Sequence, residues 1–171
     1  MASGDSVVQI VAVIPPGTLY ATEDVIVGAS TPAESFPVWD FDDTTAEYMD
    51  FLCKLEGYAG GGLTFTVWSA AAVAGGTDGY VWRIAIRALP NDAEDIDTTA
   101  HTYDFNSSLE VTPPSAIGEI VSITIAFTNG ADMDSWAEGE LAIVRVGRAV
   151  ADAADTMTGD AMLAGIFGLE T

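Results

Sequence analysis

The sequence is short of basic residues and of the side chains that form most catalytic and metal sites. Its 171 residues include five Lys or Arg, 26 Asp or Glu, one histidine and one cysteine, and the formal net charge is −21 at pH 7. A surface this negative repels phosphate backbones and anionic lipid headgroups. We therefore expect no nucleic-acid partner and no membrane partner.

One cysteine and one histidine leave little room for nucleophile or zinc chemistry. Cys53 has no partner for an intramolecular disulfide, and a structural zinc usually needs four Cys or His ligands. His101 is the one imidazole that could serve as a base, and no nucleophile-elbow pattern accompanies it. We therefore predict no enzymatic activity, no catalytic residue and no cofactor.

Long uninterrupted hydrophobic runs are also missing, although hydrophobic residues make up 49% of the chain and the mean hydropathy is +0.30. No stretch approaches the ~18 apolar residues that a membrane helix needs. The first residues, MASGDSVVQ, lack the basic region of a secretory signal, so we expect synthesis in the cytoplasm. The hydrophobic content argues against disorder, and no linker is visible. We predict a single domain over residues 1–171.

Alternating apolar and polar residues recur in short segments bounded by Gly, Pro or Asn. We interpret the segment 60–89 as a central hairpin with two long arms and a Gly-rich connection. About eight strands without regular helix–strand alternation predict an all-β fold, an antiparallel β-sandwich of the jelly-roll type. The other predicted strands are 7–14, 19–27, 36–41, 101–105, 117–127, 140–148 and 161–169.

One segment departs from this period of two. Thr44 followed by Glu47 fits a capping box, and apolar residues then recur at three- and four-residue spacing up to Leu55. Gly57 would end such an element. The pattern predicts one short helix over residues 45–54.

Three acidic loops offer oxygen ligands for a structural cation such as calcium, which takes six to eight oxygens. None matches EF-hand spacing, and clustered aspartates are expected by chance in so acidic a chain. One of the three loops contains Asp132 and Asp134. The candidate ligands lie in the other two loops and are Asp92, Asp95, Asp97, Asp152, Asp155 and Asp160.

The tryptophans and arginines leave two interpretations open. Exposed Trp39, Trp68, Trp82 or Trp136 would stack on sugars in a carbohydrate-binding or adhesin-like module, whereas covered rings would belong to the core or to a subunit contact. Arginine favours bidentate contacts at interfaces. We therefore predict an oligomer or partner interface containing Trp68, Arg83, Arg87, Arg145 and Arg148.

The order of features from residue 36 to residue 169 resembles small structural proteins of tailed phages and related viruses. The segments that carry the resemblance are WDFDD (39–43), YAGGG (58–62), LTFTVWSA (63–70), YVWRIAIRAL (80–89) and RAVADAADTMTGD (148–160). This group includes jelly-roll capsid decoration, or cement, proteins. The resemblance implies a homotrimer that binds the major capsid protein on the exterior of the virion and stabilises the capsid lattice.

Overall fold

Ten strands in two facing sheets form the protein. The computed structural model describes residues 4–171. The strands are β1 (Val8–Ile14), β2 (Thr22–Val27), β3 (Ser35–Phe41), β4 (Tyr48–Leu55), β5 (Leu63–Ala71), β6 (Trp82–Leu89), β7 (Asn106–Ser107), β8 (Val121–Phe127), β9 (Leu141–Arg148) and β10 (Ala161–Glu170).

Each sheet contains five antiparallel strands. The order in sheet 1 is β1-β4-β9-β6-β7, and the order in sheet 2 is β2-β3-β10-β5-β8. The chain crosses repeatedly between the sheets, which confirms the predicted β-sandwich of the jelly-roll type. A single 3-10 turn, Ala131–Met133, is the only helical element in the part of the chain that the structure describes. Over the same residues, no helix has the length and hydrophobicity needed to cross a membrane.

Strands β5 and β6 do not form the predicted hairpin. β5 pairs with β10 and β8 in sheet 2, whereas β6 pairs with β9 and β7 in sheet 1. Burial does alternate along the first part of β5, where Leu63, Phe65 and Val67 are buried and Trp68 is exposed. In β6 only Arg83 and Leu89 are partly exposed. Alternation fixes which face is buried but does not fix the partner strand.

The core between the sheets is crossed by hydrogen bonds as well as by apolar contacts. Trp82 of sheet 1 is fully buried, and its indole Nε1 donates to Oγ of Ser69 in sheet 2 at 3.1 Å. The hydroxyl of Tyr80 lies 3.0 Å from the same Oγ. Phe41 packs edge-on against Trp82, with ring centroids 5.0 Å apart. Since buried polar atoms need partners, this arrangement fixes how the two sheets face each other.

The segment 48–55 is strand β4, so the helix predicted over 45–54 is wrong. The odd-numbered side chains from Met49 to Leu55 are buried, and the even-numbered side chains are partly exposed. The apolar residues fit both a period of two and helical spacing. Burial of one face against sheet 2 decides in favour of the strand.

The supposed helix cap is a turn that leads into β4. Oδ1 of Asp42 accepts hydrogen bonds of 2.6 Å from the amide of Thr44, the hydroxyl of Thr44 and the amide of Thr45. Glu47 Oε2 accepts a hydrogen bond of 2.9 Å from the amide of Asp42. The hydrogen bonds from Thr44 and Thr45 lower the pKa of Asp42 to about 2. Short polar side chains cap turns as readily as helices, which explains the misleading signal.

The predicted strand at 101–105 is not formed. This segment packs over the outer face of sheet 1 and is followed by the two-residue strand β7. Its aromatic residues, Tyr103 and Phe105, contact side chains of the sheet instead of joining its edge. The signal for a strand arose from aromatic residues whose role is packing.

The position of Cys53 on β4 gives a test of this fold. Its side chain is fully buried, and burial raises the pKa of its thiol to about 12. We expect no reaction of the folded protein with Ellman's reagent over minutes at pH 8, and one thiol per chain in guanidinium chloride. Rapid stoichiometric reaction of the folded protein would contradict the placement of β4.

Candidate interaction surfaces

The five residues predicted to form an interface do not share one surface. Trp68 projects from the outer face of sheet 2, whereas the side chains of Arg83, Arg87 and Arg145 lie on the outer side of sheet 1. Arg148 is fully buried. A single flat contact therefore cannot include all five.

The outer face of sheet 1 carries a stack of alternating arginine and aromatic side chains. Cζ of Arg145 lies 4.0 Å from the ring centroid of Tyr103 and 5.4 Å from that of Tyr48. Cζ of Arg83 lies 5.2 Å from the Tyr48 centroid and 4.7 Å from that of Phe105. Cation–π contacts of this kind stabilise by about 0.5–2 kcal/mol each. This arginine–aromatic stack holds the loop between β6 and β7 against the sheet.

A glycine in β9 makes room for the stack. Gly147 pairs with Tyr48 on one side and with Arg83 on the other. A Cβ added at Gly147 would lie 2.8 Å from Cδ1 of Tyr48, closer than side chains pack. Any larger residue there would displace the tyrosine ring.

Carboxylates bind two arginines on the outer face of sheet 1, Arg145 of the stack and Arg87. Asp50 accepts two hydrogen bonds of 2.7 Å from Arg145, and Glu94 accepts bonds of 3.1 and 2.6 Å from Arg87. Burial opposes the charge on Arg145, but the hydrogen bonds to Asp50 and its charge prevail and raise the pKa of Arg145. The acidic loop after β6 is therefore held to the sheet by an arginine.

Arg148 forms a buried ion pair with Asp155. The two side chains are 0% and 2% exposed, and Nη2 lies 2.8 Å from Oδ1. Arg148 also donates to the carbonyls of Met157 and Gly159, while Oδ2 of Asp155 accepts from the amide of Val81. All these contacts lie within the chain, so Arg148 has no surface to offer a partner.

Strand β1 is an exposed and uncharged edge. Among the described strands it pairs only with β4, and its sequence VQIVAVI contains no charged residue. Ile10, Val11, Val13 and Ile14 are between 42% and 57% exposed. Proteins usually protect such edges with charges, proline or bulges, and here a bulge between Ile10 and Ala12 is the only such device within the strand.

An apolar pocket of about 230 Å³ opens beside β1 on the outer face of sheet 1. Ile14 contributes to both the strand and the pocket. The edge strand and the pocket therefore form one continuous apolar surface, which we name the β1 surface. The residues that line the pocket are Ile14, Asp50, Leu52, Leu89, Ile96 and Ile143.

Trp68 is the one tryptophan of the four whose ring is largely accessible. It is 46% exposed, whereas Trp82 and Trp136 are buried and Trp39 packs partly against the core. The interpretation that several tryptophans stack on sugars therefore reduces to one position.

The six candidate cation ligands do not converge. Over residues 4–171, no three His, Cys, Asp or Glu side chains form a group that could hold a metal ion. Asp155 is bound by Arg148, and Asp152 accepts a hydrogen bond from a backbone amide two residues further along. Asp92 and Asp95 line an open depression in the loop after β6. The other two candidates are Asp97, in a turn of that loop, and Asp160, immediately before β10.

His101 packs within the loop that covers sheet 1. Its ring lies edge-on to Tyr103, with centroids 5.0 Å apart. Nε2 lies 4.0 Å from Oδ2 of Asp134. These are the contacts of a packed loop residue.

Asp40 lies in a cluster of carboxyl groups at the outer face of sheet 2. Its Oδ1 is buried and has no hydrogen-bond partner among the described residues. Burial, followed by the charges of Asp24 and Asp160, raises the pKa of Asp40 to about 6, and Glu47 contributes in the same direction. Each of these effects disfavours the ionised form.

Comparisons with known proteins identify no family. No protein-family model matches the chain, and no curated protein matches it in sequence. One solved structure that resembles it is the carbohydrate-binding module TmCBM61 in complex with β-1,4-galactotriose. The two sequences are 11% identical, and the TM-score is 0.40. The match covers 94% of this chain and 88% of that one. Another is the enzymatically active domain of tailspike protein 4 of bacteriophage CBA120, 9% identical, with a TM-score of 0.38. The match covers 95% of this chain and 19% of the length of that chain. The assignment as a β-sandwich therefore rests on the two sheets of this chain.

Sequence reasoning missed the β1 surface. The strand itself was predicted, but its position at the edge of a sheet depends on pairing that no local pattern encodes. The absence of charge from VQIVAVI in a chain with 26 acidic residues was a usable signal. Phe167, which is 44% exposed on the same sheet as Trp68, was also missed.

The buried ion pair predicts a large loss of stability when one partner is neutralised. We expect Asp155→Asn to lower the free energy of unfolding by about 3–5 kcal/mol, because it leaves the Arg148 charge buried without a counter-ion. The matched change Glu56→Gln breaks the exposed pair with Lys54 and should cost at most about 1 kcal/mol. Urea denaturation measures both, and equal losses would contradict the assigned role of Asp155.

The carboxyl cluster predicts a pH-dependent gain from Asp40→Asn. Because the pKa of Asp40 in the folded state, about 6, exceeds its ordinary value of 3.8, the native state binds more protons than the unfolded state between these values. Stability therefore falls as pH rises through about 6. After allowance for solvent screening, we expect the variant to be more stable than the original by about 1 kcal/mol at pH 8 and unchanged at pH 4. The exposed change Asp78→Asn is the control, and a gain from Asp40→Asn that is equal at both pH values would refute the prediction.

Proposed function

We propose that the protein is a non-enzymatic structural component of a virion, a capsid decoration protein that assembles as a homotrimer on the outer surface of the major capsid lattice. The resemblance of its sequence features to phage structural proteins supports the virion role. The β1 surface is the observation that supports assembly. Obligate protein contacts are more hydrophobic than ordinary surfaces, and this surface is both apolar and exposed.

Charge favours the same surface. Two copies with a net charge of −21 repel each other wherever carboxylates meet. β1 contains no charged residue, and the one acid that lines the pocket, Asp50, is paired with Arg145. The β1 surface is therefore a region where two copies approach with little repulsion.

The shape of the surface suits a contact between different parts of two copies. An engineered cavity of roughly 150 Å³ accommodates benzene, so the pocket has room for an aliphatic side chain of a neighbour. A ridge on one copy that enters a pocket on the next is a heterologous contact, and such contacts close into rings when the rotation permits. Three copies form the ring that the resemblance implies.

The variant Val11→Glu/Ile14→Glu tests the proposed assembly. Light scattering of the unmodified protein at micromolar concentration should give three times the chain mass of 17.8 kDa. The double variant should give a single chain mass, because each copy would bring two buried like charges to every contact. Both substituted side chains are more than half exposed, so the fold should persist.

A control variant adds the same charge elsewhere. Leu109→Glu/Ile117→Glu changes two residues that are 80% and 63% exposed and lie outside the β1 surface. It should remain trimeric. A monomeric unmodified protein, or a trimeric Val11→Glu/Ile14→Glu variant, would refute assembly through β1. Co-purification with the major capsid protein of the same genome tests the capsid role separately.

A further inference from the structure

We propose that the outer face of sheet 2 around Trp68 is a binding site for a neutral oligosaccharide. This Trp68 face lies on a different sheet from the β1 surface, and the inference does not depend on assembly. It consists of the outward residues Thr66 and Trp68 of β5, Ser122 and Thr124 of β8, and Gly165 and Phe167 of β10.

Small neighbours leave the indole of Trp68 accessible. In the sheet, Trp68 pairs with Gly165 on β10 and with Ser122 on β8. A Cβ added at Gly165 would meet no atom within 4 Å, so the space beside the ring is open. The negatively polarised face of an aromatic ring attracts the C–H groups of a sugar ring, which carry slight positive charge. An open indole on a rigid strand provides such a face.

A second ring extends the surface. Phe167 is 44% exposed, lies two residues beyond Gly165 and pairs with Thr66. The rise along a strand and the spacing between strands place the Cβ atoms of Phe167 and Trp68 about 8 Å apart. Two separated rings favour a ligand of more than one sugar unit.

Hydroxyl groups lie beside the rings. Thr66 on β5 pairs with Thr124 on β8. Ser122 lies two residues before Thr124 and therefore points to the same face of the sheet. Within residues 4–171, no hydrogen bond engages these three hydroxyls. Each can donate one hydrogen bond and accept two, as sugar hydroxyls require. An apolar protein partner would instead bury them unsatisfied, at a cost in affinity.

The charge of this face selects a neutral ligand. β5 and β8 contain no charged residue, and the one on β10, Glu170, is bonded to the backbone amides of Ala59 and Gly61. Acidic saccharides are repelled by the rest of a −21 chain. Cationic partners are drawn to its carboxylates and away from this face.

Affinity electrophoresis in native gels tests the proposal. The gels contain mannan, dextran, galactan or hydroxyethyl cellulose as neutral probes, and alginate as the acidic probe. At least one neutral polymer should retard the unmodified protein, and alginate should not. Trp68→Ala should weaken the retardation at least about tenfold, and Gly165→Val should do the same by filling the space beside the ring. Trp68→Tyr, which keeps an aromatic ring, should retain part of the binding.

Tyr20→Ala is the matched control, because Tyr20 is 54% exposed and lies outside the Trp68 face. Its retardation should equal that of the unmodified protein, and thermal melting should show all variants folded. The proposal is overturned if none of the four neutral polymers retards the protein, if alginate retards it equally, or if Trp68→Ala binds as well as the original. A change of oligomeric state in Trp68→Ala would also overturn it, since the face would then be a self-contact. The light-scattering test of assembly through β1 uses different variants, so neither test decides the other.

Discussion

The buried pair of Arg148 and Asp155 is the constraint on which the sandwich most depends. A guanidinium with no exposed surface needs a partner for its N–H groups, because an unpaired buried charge costs several kcal/mol. Arg148 lies at the end of β9 in sheet 1 and donates to the carbonyls of Phe41, Met157 and Gly159. Phe41 ends β3 in sheet 2, and the other two lie in the segment before β10. One side chain thus ties the two sheets together at this end of the molecule.

The same demand for partners organises the outer face of sheet 1. In a chain with 26 acidic groups, Arg87 and Arg145 find carboxylates close by in their own chain, and Arg83 lies between aromatic rings. Groups joined by one chain meet at a higher effective concentration than groups on separate molecules. These arginines are therefore committed to contacts within the chain, and the β1 surface is the apolar, uncharged part of sheet 1 that they leave open.

Alternation of apolar and polar residues indicates the buried face of β5 and β8, including the outward position of Trp68. It fails in β10, where a bulge between Leu163 and Gly165 puts Phe167 on the face opposite to Leu163. Local patterns did not predict that β5 and β6 belong to opposite sheets, because alternation does not specify which strand pairs with which. The apolar residues of β4 fit two periods, and only packing against the opposite sheet resolves them. The open space at Gly165 depends on the register of β10 after its bulge, which no short sequence pattern contains. The faces of regularly alternating strands were thus predictable from sequence, while bulges and the surfaces that neighbouring strands build together were not.

The separation of the two proposed surfaces affects how each would work. A ring closed through β1, at the edge of sheet 1, leaves the Trp68 face on sheet 2 exposed in every protomer. If the Trp68 face binds a sugar chain as proposed, one such open platform would bind it weakly, since solvent would cover much of the ligand. In the proposed trimer, three such platforms would bind a single polymer at a high effective concentration, and a lattice of trimers would multiply this further. Assembly would then strengthen a weak glycan site without any new contact at the site itself.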